Sequence, residues 1–182
     1  NICIEKEVEA GNPGFDRVQL IHRALPDIDF DKIDMSINFL SKKLKYPIII
    51  EGMTGGVRGA EKINKDIAQV AEEFDIGFGV GSQRAAIEDP SVEYTYNVRD
   101  VAPNILLIAN LGAVQLNYGY GIKECKLAIK MIDADALALH LNPLQEVIQP
   151  EGNKNFSNLT KKINLIKKNL KKPLIVKCDG SG

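Results

Sequence analysis

The residues His140 to Gly152, HLNPLQEVIQPEG, place an imidazole, three side-chain amides and two carboxylates within one short stretch that holds two prolines. The stretch follows the apolar run ADALALHL (134–141), where His140 lies on an alternating ladder. A solvent loop needs polar residues, but it does not need this set. Gln145 and Glu146 follow a turn led by Pro143, which brings them close after the end of a buried segment.

Four further clusters stand at comparable places. Met53-Thr54-Gly55-Gly56 follows YPIIIEGM, and Ser82-Gln83-Arg84 follows IGFGVGS. Asn110-Leu111-Gly112 ends NILLIANLG, and Lys177 ends KPLIVKC with Asp179-Gly180-Ser181-Gly182 behind it. Each has an ordinary reading beside a functional one. Thr-Gly-Gly is a common turn, yet glycines also let a flat ligand approach backbone N–H groups. Arg84 could be a surface ion-pair partner, or a bidentate phosphate ligand. Asn110 ends an apolar strand, so its amide needs partners, and it could equally hold two loops together. Lys177 could snorkel its charge out of an apolar strand. His22, in Leu20-Ile21-His22-Arg23, reads as a packing residue.

The elements that must position these groups follow from hydrophobic pattern. The apolar runs 46–53, 76–82, 104–112, 134–141 and 172–178 are continuous, not alternating. That is the signature of strands buried on both faces of a parallel sheet. Helices are expected between them. Ile63, Ile67, Val70 and Phe74 form one face of a helix over 60–75. Asp89-Pro90 supplies a cap and a first-turn proline for a helix reaching about Val101. Ile122, Cys125, Ile129 and Ile132 mark a third over 121–132. Ser157 is the expected cap of a fourth, with the line Leu159, Ile163, Ile166 and Leu170. Its lysines 161, 162, 167, 168, 171 and 172 flank that line and read as a solvated face. A short helix or turn is expected around Asp31–Leu40.

The resulting β-α alternation fits a doubly wound sheet or a (β/α)8 TIM barrel. No G-x-G-x-x-G motif opens the first helix, which weighs against dinucleotide binding. In a barrel these would be the first five of eight strands. The domain reading is an N-terminal extension over 1–45 and a partial TIM barrel over 46–182. All five polar clusters then sit at the carboxyl ends of strands, where parallel α/β folds bind ligands.

Composition allows a real hydrophobic core and argues against several other classes. The 182 residues are 45% hydrophobic with a net charge of −1, so no basic surface argues for nucleic acid. No apolar stretch reaches the ~20 residues of a membrane helix. Cys3, Cys125 and Cys178 are too far apart for a metal motif or disulfide framework, which points to a reducing, cytoplasmic setting. The start, NICIEKEVEAG, has no signal-peptide pattern and no Met, so a natural N-terminus upstream is expected.

The motifs Met53-Thr54-Gly55-Gly56, Gly79-Val80-Gly81-Ser82-Gln83-Arg84, Ala109-Asn110-Leu111-Gly112 and His140 to Glu146 with Gln149 to Gly152 resemble the type 2 isopentenyl diphosphate isomerases, in an archaeal form. The resemblance runs from about Phe15 to Lys177. It implies a β/α barrel that binds FMN and Mg²⁺, takes NADPH as flavin reductant, and interconverts isopentenyl and dimethylallyl diphosphate without net redox change. It implies Met53, Thr54, Gly55, Ser82, Asn110 and Lys177 as FMN contacts. Arg84, His140, Asn142 and Gln145 would bind substrate, Glu146 would hold Mg²⁺, and Gln145 would lie nearest the isomerising carbons. A homo-oligomer, tetramer or octamer, is implied as well. The chain departs from the pattern in three places. Asn1–Gly11 lacks the family's Arg-Lys pair, Cys178-Asp179-Gly180 follows Lys177, and the sequence reaches Gly182 without the later strands and their phosphate-binding loops. A fragment is therefore expected. Two other readings stay open: an FMN-dependent barrel oxidoreductase, and an inactive flavin-binding half-barrel.

Overall fold

The computed structural model describes residues 14–52 and 54–178. Met53, the region of the missing Arg-Lys pair and residues 179–182 lie outside the described residues. The chain divides into two compact units, one up to Asp34 and one from Met35. In the first, 3-10 turns form at Phe15–Arg17 and Phe30–Lys32, the second capped by the Asp29 carboxylate, which accepts from the Asp31 N–H at 3.2 Å. His22, expected to pack, is exposed.

The second unit opens with an antiparallel hairpin, β1 (Ile37–Phe39) and β2 (Lys42–Leu44). Leu40 and Ser41 turn it with φ of 48° and 66°, the conformation of a tight two-residue hairpin loop. The helix or turn expected as far as Leu40 is therefore a strand and turn at its end. Five parallel strands follow in sequence order: β3 (Ile49–Ile50), β4 (Gly77–Gly79), β5 (Leu107–Gly112), β6 (Ala136–Leu141) and β7 (Leu174–Cys178). All five coincide with the apolar runs of the sequence.

The sheet is curled. Four steps of ~4.8 Å would hold the edges of a flat five-stranded sheet ~19 Å apart. Instead Lys177 of β7 reaches Glu51, next after β3, with Nζ 2.9 Å from Oε2. On the face that carries Ile108, Ala136, Ala138 and Ile175, the hairpin residues Phe39, Leu40 and Leu44 form a plug. On the other face Leu107, Ala109, Leu111, Leu137 and Leu139 pack against helices. Alternation along the strands thus separates two apolar layers, as a curled parallel sheet requires. Among the described residues this is a five-stranded half-barrel.

The helices are α1 (Ala60–Glu73), α2 (Arg84–Glu88), α3 (Ile122–Met131), α4 (Pro143–Ile148) and α5 (Leu159–Asn169). In α3 and α5 the predicted apolar lines face the core. In α1 they do not. Ala60, Asn64, Ala68 and Ala71 are buried, while Val70 and Phe74 are exposed. Small residues let this helix lie close on the sheet, and that close packing outweighs the larger apolar line. The segment after Asp89 also differs. Asp89 caps it, but Pro90–Tyr96 is a 3-10 helix, not an α-helix to Val101. The Thr95 hydroxyl bonds back to the Val92 carbonyl at 2.7 Å and accepts from the Gly56 N–H at 2.8 Å, which ties the turn to a strand-end loop. Ser157 does not cap α5. Its hydroxyl is spent on Asn155, and Asn158 takes the cap position with φ 57°. No helix among the described residues is long and apolar enough to cross a membrane.

Candidate active site at the strand ends

Cross-strand register brings the separate motifs together. His140 lies beside Gly112 on one side and Lys177 on the other. Asn110, two residues before Gly112, shares their face, so the concave side of the half-barrel ends in a polar layer. Below it lie Ala136, Ala138, Ile108 and Ile175. The small residues of β6 keep the space above them open. A cavity of about 360 Å³ forms there, walled by Gly52, Ser82, Asn110, Gly112, His140 and Lys177, with Arg84, Gln115, Asn142, Gln145 and Glu146 at its rim. A second cavity of about 580 Å³ adjoins it across Arg84 and Glu146, and Gln149, Pro150 and Glu151 line it.

The first wall depends on close backbone approach. A Cβ on Gly52 would fall 2.1 Å from the Gly79 carbonyl oxygen, so only glycine fits between β3 and β4 at this height. Thr54 accepts from the Gly81 N–H through its carbonyl at 3.1 Å, and Gly55 lies over the ring of Tyr96. Tyr96 is fully buried, donates its hydroxyl to the Ser82 carbonyl at 2.7 Å, and has its phenol pushed up to about 12 by desolvation. It anchors the Ser82-Gln83-Arg84 turn from below.

The charged groups are held in pairs. Arg84 at the start of α2 meets Glu88 at 2.7 Å, and that hydrogen bond raises its guanidinium above the ordinary value. The surface ion pair and the place in the site are both present. Lys177 is paired with Glu51. Glu146 is buried at the base of α4, where its Oε2 accepts from the Asn153 N–H at 2.6 Å and its Oε1 from Asn142 Nδ2 at 3.2 Å. Asn142 also reaches the exposed Gln145 at 3.3 Å. The Asn153 side-chain nitrogen is buried without a partner among the described residues, an unpaired donor beside the Glu146 loop.

Every predicted site residue that is described reaches the cavity or the loops that frame it. Thr54 and Gly55 belong to the frame, whereas Ser82, Arg84, Asn110, His140, Asn142, Gln145, Glu146 and Lys177 line the cavity. The sequence reading passed over Glu51, Gln83 and Gln115. A signal existed for Glu51, a lone carboxylate at the end of the run YPIIIEGM. Gln83 was quoted but given no role. Gln115 sits in a 3-10 helix over Ala113–Asn117 that has no apolar periodicity to place it.

The chain is 50% identical over 188 residues to an isopentenyl-diphosphate delta-isomerase of Pyrococcus furiosus, covering 99% of this chain and 48% of that protein. It is 49% identical over 183 residues to the isomerase of Synechocystis, covering 100% of this chain and 52% of that protein. The chain is similar to isopentenyl-diphosphate delta-isomerases. The enzyme of that name from Ignicoccus hospitalis gives 49% identity over 182 residues, with 51% of its length covered. The chain thus spans about half the length of the curated relatives it matches. No family model matches it. These relatives carry an isomerase name and not an oxidoreductase name, which does not favour the barrel oxidoreductase left open by the sequence.

Proposed function

We propose that the protein to which this chain belongs interconverts isopentenyl and dimethylallyl diphosphate at the strand ends of a (β/α)8 barrel, type 2 in its use of FMN and Mg²⁺. The observation that carries this reading is identity near one half along the whole chain to isomerases of that name. The strand-end cavity supports it by gathering the motif residues in one place.

The groups present fit both cofactors. Gly112 leaves a side-chain-free stretch of wall for a flat ring, and Lys177, paired with Glu51, brings a cation to the same wall for a ring anion. FMN when bound and reduced, with NADPH as reductant, would supply acid–base and electrostatic chemistry at that wall. Thr54, Gly55, Ser82 and Asn110 would hold it, with Met53 beyond the described residues. Glu146 accepts two N–H bonds, while a carboxylate offers about four lone-pair positions, so it retains capacity for Mg²⁺.

This chain's own residues would bind and orient the substrate. The Arg84–Glu88 pair is surface-exposed, and such a pair contributes ~0–1 kcal/mol. A bidentate guanidinium–phosphate contact is stronger, so Arg84 would release Glu88 and take a diphosphate. His140 and Asn142 line the same wall. Shifting a double bond adds a proton at one carbon and removes one at another, so electrons balance without net redox. The Gln145 amide is a poor acid and a poor base, which suits it to orient the tail and not to carry the proton. Binding energy from the diphosphate would fix the small apolar tail at the reacting position. The assembly would be a homo-oligomer, a tetramer or octamer.

The test is an omission assay on the full-length protein. Isopentenyl diphosphate is converted when FMN, reductant and Mg²⁺ are all present, and conversion stops when any one is left out. Conversion without flavin, or none in the complete mixture, would overturn the proposal.

A further inference from the structure

The cavity wall contains a hydrogen-bonded chain that runs from Gln83 through Asn110 to His140 Nδ1. Asn110 is buried, and its Nδ2 lies 3.0 Å from the Val80 carbonyl oxygen. A carbonyl only accepts, so this atom is the amide nitrogen, and Oδ1 is the atom turned to His140 Nδ1 at 2.9 Å. The flipped amide would set two oxygens against each other at Val80. Oδ1 has no hydrogen to give, so the hydrogen in the Asn110–His140 bond belongs to Nδ1. Behind Asn110 stands Gln83, fully buried in the same core. Its Oε1 accepts from the Asn110 N–H at 3.0 Å, and its Nε2 donates to the Ala128 carbonyl of α3 at 2.8 Å. The Gln83 N–H returns to the Asn110 carbonyl at 2.9 Å. Gln83 thus clamps Asn110 through both of its backbone groups.

We infer that Gln83 and Asn110 are positioning residues that hold the neutral His140 ring in its Nδ1–H tautomer, with the Nε2 lone pair on the cavity side. The ring's placement agrees: a Cβ on Gly112, a cavity-lining residue, would stand 3.2 Å from Nε2. The consequence concerns what His140 can recognise. In the neutral ring Nε2 accepts a hydrogen bond. It donates one to a phosphate oxygen only when the ring takes up its second proton. This consequence rests on the proposed function for the identity of the anion, whereas the tautomer does not.

The test is a two-bond proton–nitrogen correlation spectrum of the full-length protein labelled with ¹⁵N-histidine. It is recorded near pH 8.5, about two units above the ordinary imidazole value of ~6.5. His140 is assigned by the peaks lost in His140→Gln. The expected pattern is a pyrrole-type Nδ1 and a pyridine-type Nε2. The reversed pattern, a tautomer average, or two pyrrole-type nitrogens would each overturn the inference. Asn110→Leu removes the acceptor at Nδ1 and is expected to lose the pattern. An unchanged pattern in Asn110→Leu would overturn the positioning role. If that variant does not fold, the wild-type spectrum still decides the tautomer, and Gln83→Met, which removes the amide bonded to the Asn110 N–H, is expected to shift the pattern toward a tautomer average, an unchanged pattern there overturning the positioning role. Isomerase activity is read separately, so failure of either idea leaves the other standing.

Discussion

Replacing Gly152 by alanine should damage the site from a position outside the lining of either cavity. An alanine Cβ there would stand 1.8 Å from the Glu146 carbonyl oxygen and 2.6 Å from its carbon. Those are backbone atoms at the base of α4, so no rotamer relieves the clash. Restoring ordinary contact at 3.4 Å needs a displacement of about 1.6 Å between the loop and the helix. The neighbouring bond from the Asn153 N–H to Glu146 Oε2 is only 2.6 Å and does not survive a shift of that size. Overpacking costs about 1–3 kcal/mol, and the loop can yield, so the loss in urea unfolding should fall at the lower end. Activity should suffer more, because a ~1 Å misplacement of a binding group can cost about 10²-fold. Gly59→Ala is the control. Gly59 has φ 88° and open space around its Cβ position, so alanine there adds backbone strain of ~1–2 kcal/mol without moving the site. The assay compares turnover and Mg²⁺ dependence in the two full-length variants. Equal activity in both, or wild-type Mg²⁺ dependence in Gly152→Ala, would refute the reasoning.

Three further outcomes are expected. Tyr96 has a folded pKa of about 12 against an ordinary 10.0, so its burial leaves stability flat below about pH 10 and removes it as pH rises from 10 to 12. Two units correspond to roughly 2–3 kcal/mol, and Tyr96→Phe should flatten that alkaline loss in unfolding curves. Arg99 donates to the carbonyls of Ile105 and Asp133 and to Asp135 Oδ2 at 2.8–3.1 Å. Arg99→Ala should therefore lower stability by ~2–3 kcal/mol in urea titrations, with little change in the site's ligand affinity. Cys125 is fully buried with its thiol pushed up to about 11, so a thiol reagent should not reach it in the native protein. Labelling of Cys125 should follow global unfolding, and rapid labelling in the native protein would contradict its burial.

Continuous apolar runs were enough to place all five parallel strands, because burial on both faces leaves no polar alternation to misread. The helix faces were less legible. Periodicity weighs size, so Val70 and Phe74 outranked Ala68 and Ala71, although close packing of α1 selects the alanines. The 3-10 segment after Asp89 depends on Thr95 bonding to Gly56, a residue 39 positions away that local pattern cannot report. Site residues such as Arg84, His140 and Glu146 were visible because polar groups at strand ends stand out against apolar runs. Their couplings were not. That Glu51 meets Lys177 follows from the curl of the sheet, and that Gln83 braces Asn110 follows from a fully buried amide bonding across β5 to α3.

Acid–base isomerisation at a reduced-flavin site and net oxidoreduction there differ in stoichiometry. The full-length protein is given FMN, Mg²⁺, a limiting amount of NADPH and excess isopentenyl diphosphate under anaerobic conditions. Dimethylallyl diphosphate and NADPH are then counted by NMR. Many molecules of product are expected for each NADPH consumed, approaching the equilibrium mixture. Product no greater than the NADPH consumed, or NADPH loss without dimethylallyl diphosphate, would mark an oxidoreductase and contradict acid–base isomerisation.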